Sequence, residues 1–218
     1  MLKMVNLFKN YKENIVYNNY NICIEDGEMI AIKGNSGSGK TTLIRILSMQ
    51  DRNYKGQYFV DDMEVSEFNE KKYNDFRLKK MSVIFQNYNL INYMTVFQNI
   101  VLPLKFNHIS YLESDIERML EKFNMSDIKD KRVDKISGGE AQRTAIIRAL
   151  VMNTKYIFAD EPTGNLDDVN TKMVMDMLKT AQQSGHTIIM VTHSNQLDNY
   201  FDRIIRIEKN DWYYKKLY

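Results

Sequence analysis

The 218-residue chain has little that would cross-link it, stiffen it or charge it one way. Its single cysteine, Cys23, cannot close an internal disulfide; in the run Ile22-Cys23-Ile24 it reads as a small buried hydrophobe suited to a reducing cytosol. With 2 prolines and 44% hydrophobic residues, a solvated low-complexity tail is excluded. The 30 Lys+Arg and 28 Asp+Glu leave a net charge of +2, so no overall field draws the protein onto nucleic acid or an acidic membrane. No apolar run approaches the roughly 18 residues that span a bilayer. Lys3, Asn6 and Lys9 interrupt the amino terminus before a signal-peptide stretch develops. The chain therefore reads as soluble, and a membrane role would require a partner.

What is present is an alternation of strand and helix. Met29-Ile30-Ala31-Ile32, Tyr156-Ile157-Phe158-Ala159 and Thr187-Ile188-Ile189-Met190-Val191 are continuous apolar segments, the pattern of parallel strands buried on both faces. Helical patterns at 41–49, 111–123 and 138–152 lie between them, which places the fold in the α/β class. Shorter alternating strands at 15–25 and 57–61 predict an antiparallel flank, and 86–152 reads as a mostly helical insertion. Lys71, Lys72, Arg77, Lys79 and Lys80 are interspersed with Glu70 and Asp75, a solvated helix and not a nucleic-acid patch. His108 and His186 are expected at the surface. Trp212-Tyr213-Tyr214-Lys215-Lys216-Leu217-Tyr218 reads as a hairpin arm returning on 203–208.

Three motifs carry chemistry. Gly34-Asn35-Ser36-Gly37-Ser38-Gly39-Lys40-Thr41, with Thr42 behind it, matches G-x-x-x-x-G-K-[ST] between a predicted strand and a predicted helix. Its glycines let backbone N–H groups curl around phosphates; Lys40 would reach the β- and γ-phosphates and Thr41 would hold Mg²⁺. Asp160-Glu161 closes the strand 156–159, one carboxylate to orient the metal ion and the other to orient water, although two acids after a strand are by themselves more often a solvated loop. Ser137-Gly138-Gly139-Glu140 opens a helix as a capping box, and its paired glycines would admit an anion to the helix N-terminus.

In this order, Gly34 to Thr41, Gln86, Ser137 to Glu140, Asp160-Glu161, Asn165-Leu166-Asp167 and His193 resemble the nucleotide-binding subunit of an ATP-binding cassette (ABC) transporter over nearly the whole chain. The stretches 92–104 and 160–167 are similar to its MacB/LolD/FtsE-type branch. The resemblance implies a P-loop NTPase (RecA-like) core with a parallel sheet, an antiparallel β flank and a helical subdomain. It divides the single domain 1–218 into a core of 1–86 and 152–218 and a subdomain of 87–151. It implies that two copies close head to tail over two ATP-Mg²⁺, so that Ser137, Gly138, Gly139 and Glu140 of one copy complete the site built on Lys40 of the other.

By the same resemblance, Tyr11 would stack on adenine, Gln86 would touch Mg²⁺ or the attacking water and sense a transmembrane permease of the FtsX/MacB kind, and Asp160 would join Thr41 and Gln86 at the metal. Glu161 would act on the attacking water with His193, and Asp167 would cross the dimer interface. Ile136 and Glu140 replace the leucine and glutamine common at the signature, and Arg143 is placed to pair with Glu140. The expected protein is a cytoplasmic ATPase held at the inner face of the membrane by its permease and driving peptide or antibiotic export or immunity, without nucleic acid. A chain ending at 218 is expected to lack the regulatory domain of some importer cassettes. The rival reading, a soluble ABC ATPase acting on nucleic acid or the ribosome, would call for a second cassette or a long coiled coil, and a GTP switch would show N-K-x-D; neither is found.

Overall fold

The computed structural model describes residues 1–208. Two sheets form its frame. In the first, β1 (Leu2–Tyr11), β2 (Asn14–Ile24), β4 (Lys55–Val60) and β5 (Met63–Glu64) lie antiparallel in the order β2-β1-β4-β5. In the second, β3 (Met29–Lys33), β6 (Met81–Ile84), β7 (Tyr156–Asp160), β8 (Thr187–Val191) and β9 (Arg203–Arg206) lie parallel in the order β6-β7-β8-β3-β9. The helices are α1 (Lys40–Leu47), α2 (Glu70–Lys80), α3 (Val96–Phe106), α4 (Glu113–Lys122), α5 (Gly138–Leu150) and α6 (Asp168–Gln183).

Continuous apolar strands have a simple cause here: both faces of the parallel sheet are covered. Successive side chains of a strand point to opposite faces. Ile30 and Ile32, Tyr156 and Phe158, and Ile189 and Val191 join the core shared with the antiparallel sheet and α1. Met29, Ile157, Ala159, Ile188 and Met190 join the core shared with α3 to α6. Burying each large side chain contributes about 1.5–3 kcal/mol, so the sheet cannot slip by one residue without exchanging its two cores.

The two sheets are stapled by a polar network at the amino end of β7. Tyr156 donates its hydroxyl to Asp61 Oδ1 at 2.6 Å and to Asp26 at 3.0 Å, Lys155 bridges the same two carboxylates at 2.5 and 2.8 Å, and Lys80 reaches Asp61 at 2.8 Å.

The expected antiparallel flank is present, with β1 as a further long strand at its centre. The segment 203–206 is the parallel neighbour of β3 at the edge of the second sheet, with Ile204 opposite Ala31. The proposed second arm, 212–218, lies outside the described residues. Among the described residues, no helix is long and apolar enough to cross a membrane. His108 is exposed, whereas His186 is half-buried with Nδ1 2.7 Å from the Thr154 carbonyl oxygen.

Candidate active site

Parallel strands bring their carboxyl ends to one edge, and four consecutive strands each deliver a functional segment there. Gln86 follows β6, Asp160 ends β7 with Glu161 next, His193 follows β8, and the loop 34–39 leaves β3 for α1.

The loop is shaped by two glycines with neighbours too close for a side chain. A β-carbon on Gly34 would stand 2.4 Å from the Ile207 carbonyl oxygen. Gly39, left-handed at φ 102°, would press one to 2.8 Å from Val16 Cγ1 and 2.9 Å from Tyr17 Oη. α3 and α5 open with complete capping boxes, whereas α1 opens on Gly39 with no side-chain cap and no acid in its first turn. Its leading N–H groups and dipole are thus left for an anion. Lys40 is buried and folds over the loop, donating to the carbonyls of Gly34 at 2.8 Å and Asn35 at 2.9 Å. Ser38 is buried with a hydroxyl that has no hydrogen-bond partner. Asn35, Ser36, Gly37 and Thr41 are exposed and Thr42 is half-buried. An unspent helix N-terminus beside a phosphate-length lysine fits a nucleotide polyphosphate.

Glu161 holds a left-handed backbone, φ 48°, which costs a non-glycine residue about 1–2 kcal/mol. Its N–H donates to the Val191 carbonyl at 3.0 Å and its carbonyl accepts from Gly164 N–H at 3.2 Å, bonds that hold the conformation in place. The carboxylate thereby sits with Oε2 3.3 Å from His193 Nδ1. A β-carbon at Gly164 would be 3.5 Å from Gln86 Nε2 and 3.6 Å from Glu161 Oε2, so Gln86 and Glu161 flank one glycine. Burial pushes the Asp160 carboxyl up, the charge of Glu161 pushes it further, and Arg45 and Lys40 pull it back. A cation placed there would relieve that unfavourable charge.

Tyr11 is exposed at the tip of the β1–β2 hairpin, opposite Asn14, with Lys9 Nζ 4.8 Å from its ring centroid. Val16 of the same hairpin abuts Gly39, which brings this tip beside the phosphate loop.

The residues 137–140 form no hydrogen bond to the phosphate loop among the described residues. Ser137 and Gly138 are exposed. The Glu140 carboxylate accepts from Ser137 N–H and from Ser137 Oγ, each at 2.7 Å, and Glu140 N–H donates to Ser137 Oγ at 3.3 Å. The Ser137 N–H bond is the main cause that holds the Glu140 carboxyl below its usual range. The expected Glu140–Arg143 pair does not form: Arg143 Nη1 donates to Asn170 at 2.7 Å instead. A β-carbon on Gly138 would meet Tyr88 Oη at 3.1 Å, and one on Gly139 would collide with Asn170. Asp167 is exposed and caps α6 by accepting from Asn170 N–H.

Three side chains that shape the site were not singled out from sequence. Arg148, from the last turn of α5, donates Nη2 to the Tyr88 carbonyl at 2.7 Å and Nη1 to the Asn89 carbonyl at 2.5 Å, fixing the loop after Gln86. Fully buried Asn99 clasps the next loop, accepting from Ile91 N–H at 2.8 Å and donating to the Ile91 and Thr95 carbonyls. Buried Lys33 holds the segment after His193, donating to the Ser194 carbonyl at 2.5 Å and pairing with Asp198. A lysine ending an apolar strand and an asparagine inside an apolar helix were the available signals.

The family described as ABC transporter matches residues 17–164. The chain is 40% identical over 194 residues to the lipoprotein-releasing system ATP-binding protein LolD of Leptospira interrogans, covering 88% of this chain and 82% of that one. It is 34% identical to the macrolide export ATP-binding/permease protein MacB of Campylobacter jejuni, over 97% of this chain and 33% of that longer protein. Among solved structures, the dimeric post-hydrolysis state of the ATP-binding cassette MJ0796 of Methanocaldococcus jannaschii, bound to ADP and Pi, superposes with a TM-score of 0.85 at 31% identity, covering 96% and 95% of the two chains. On the fold, the loop around Lys40 and these likenesses together, the chain belongs to the ABC transporter family as an ATP-hydrolysing cassette subunit.

Proposed function

We propose that this ATPase works as a head-to-tail homodimer under a separate transmembrane permease of the FtsX/MacB kind, at the cytoplasmic face of the membrane, and drives export of a peptide or antibiotic or immunity against it. The observation that carries the dimer is the division of its site residues. Lys40, Asp160, Glu161, Gln86 and His193 lie at one edge of the sheet, while Ser137 and Gly138, at the start of α5, are exposed and make no hydrogen bond to the phosphate loop among the described residues. A second copy brings its Ser137 to the first copy's loop and completes both sites. MJ0796, solved as a dimer with ADP and Pi, supports that arrangement. The domain division follows the same logic, with 87–151 carrying the signature helix and 1–86 with 152–218 carrying the loop.

Within one site, the N–H groups of 34–42 and Lys40 hold the phosphates, and Tyr11 supplies a face for the adenine. Thr41, Asp160 and Gln86 would hold Mg²⁺, which supplies charge neutralisation at the terminal phosphates. Glu161 takes or orients the proton of the attacking water, and His193, 3.3 Å away, fixes the carboxylate. Asp167 reaches across the interface. Partner movement enters through the loop after Gln86, which Arg148 ties to the signature helix, and Tyr93, 71% exposed, is a large apolar side chain this region presents outward.

Glu161→Gln tests the reading. It removes the ionised carboxylate while keeping its shape, so ATP hydrolysis should fall by about 10²–10⁴-fold and ATP should trap a dimer visible by size-exclusion chromatography. Hydrolysis at the native rate would remove Glu161 from this role.

A further inference from the structure

The first turn of α6 holds a hydrogen-bonded relay that the nucleotide chemistry leaves unused. Asp167 accepts from Asn170 N–H at 2.7 Å, and Asn170 Nδ2 donates to the same carboxylate at 3.0 and 3.1 Å. Arg143 Nη1 donates to Asn170 Oδ1 at 2.7 Å. The acceptor and donor ends of the amide are thus both occupied, by a cation from α5 and an anion from the loop before α6, which fixes its plane and its orientation.

Against this amide lies buried Gly139. A β-carbon there would stand 2.1 Å from Asn170 Oδ1, 2.4 Å from Cγ and 2.9 Å from Nδ2. An amide free at one end would swing aside at small cost. This one would have to surrender charge-assisted bonds to Arg143, to Asp167 or to both. The side chain missing at Gly139 therefore opens toward the chain's own α6.

We propose that Asn170 is a positioning residue: seated on Gly139 and held by Arg143, it keys Asp167 to the start of the signature helix, so that Ser137 and Asp167 meet the second subunit as one unit. This rests on the head-to-tail dimer proposed above. Within its own chain, the immobilised amide under Gly139 already bars a side chain there.

A double-mutant cycle on the full chain tests the idea, with ATP hydrolysis as the readout. Gly139→Ala in the native background should lower the rate at least tenfold. In the Asn170→Ser background, where the amide is gone, the same change should cost less than threefold. Equal fold losses in both backgrounds overturn the proposal. If Gly139→Ala does not fold well enough to assay, the cycle is read in thermal midpoints, and an equal drop in both backgrounds again overturns it. A readout that simple loss of packing would not move comes from dimer closure in the Glu161→Gln background. Asn170→Ala should raise the ATP concentration for half-maximal dimer at least fivefold while ATP affinity of the monomer stays within twofold; an unchanged closure point overturns the proposal. A native chain that forms no ATP-dependent dimer defeats the head-to-tail reading and this proposal with it. A native dimer with an additive cycle defeats the proposal alone.

Discussion

Replacing Arg148 with methionine keeps an apolar stem of similar length and deletes the two bonds that hold the loop after Gln86. Those bonds, 2.7 Å to the Tyr88 carbonyl and 2.5 Å to the Asn89 carbonyl, constrain two residues in left-handed conformations, φ 59° and φ 49°. A hydrogen bond to a charged group contributes about 1.5–3 kcal/mol net. Asn89 is exposed, so water recovers most of its share, whereas Tyr88 is half-buried and its carbonyl is left without a donor. The expected loss is about 2 kcal/mol, with the left-handed tyrosine released as partial compensation. If the loss is spread over the whole fold, the thermal midpoint drops by about 4–8 °C for a chain of this size. If it is confined to the loop, amide exchange across 85–89 accelerates by about 30-fold with little change in midpoint. Because Gln86 hangs on this loop, ATP hydrolysis should fall about tenfold in either case. Hydrogen exchange by mass spectrometry, run beside a hydrolysis assay, separates the outcomes. Native exchange at 85–89 with native hydrolysis would refute the role given to Arg148.

Two further perturbations probe other levels of the structure. Asp61→Asn breaks the staple between the sheets: burial works to raise this carboxyl, but the bonds from Lys155, Lys80 and Tyr156 outweigh it and hold it well below the usual range. The depressed folded value means its contribution, about 1–2 kcal/mol, is complete above the unfolded carboxylate range and is lost as the pH falls below about 4. Urea unfolding should therefore show a gap between native and variant at pH 7 that narrows toward pH 3, and a gap that holds constant would contradict the assignment. Tyr93→Glu, at a side chain 71% exposed, should change the stability of the isolated cassette by no more than about 0.5 kcal/mol while abolishing stimulation by the permease. Native stimulation in reconstituted vesicles would move the docking surface elsewhere.

Much of the fold was legible because its signal is local. β3, β7 and β8 are buried on both faces, so they read as unbroken apolar runs, and the phosphate loop sits between a strand and a helix in the sequence itself. β1 was harder: Asn6 at φ 55° interrupts its alternation with a register shift between Met4 and Leu7. The short strand 203–206 carries arginines at both ends and shows its role only in its pairing with β3. The gathering of Gln86, Glu161 and His193 was implied by resemblance, but the pairings that hold the site, such as Arg148 with Tyr88 and Asn170 with Gly139, join residues 60 and 31 positions apart. Side-chain packing chooses those partners, and no short-range pattern announces them. Arg143 shows the cost of reasoning along one helix: three residues from Glu140, it finds its partner on α6.

If each ATP site is completed by the signature of a second copy, residues of the two copies that flank it can be crosslinked. Ser36 and Ser137 are both exposed, and neither requires a cysteine to displace packed atoms, unlike position 139. In a chain with Cys23→Ser and Glu161→Gln, Ser36→Cys and Ser137→Cys would be joined by a short bismaleimide. An intersubunit crosslink is expected with ATP and Mg²⁺, little without nucleotide, and none when Lys40→Ala is added. A chain that stays monomeric and uncrosslinked under every nucleotide condition would contradict the composite site.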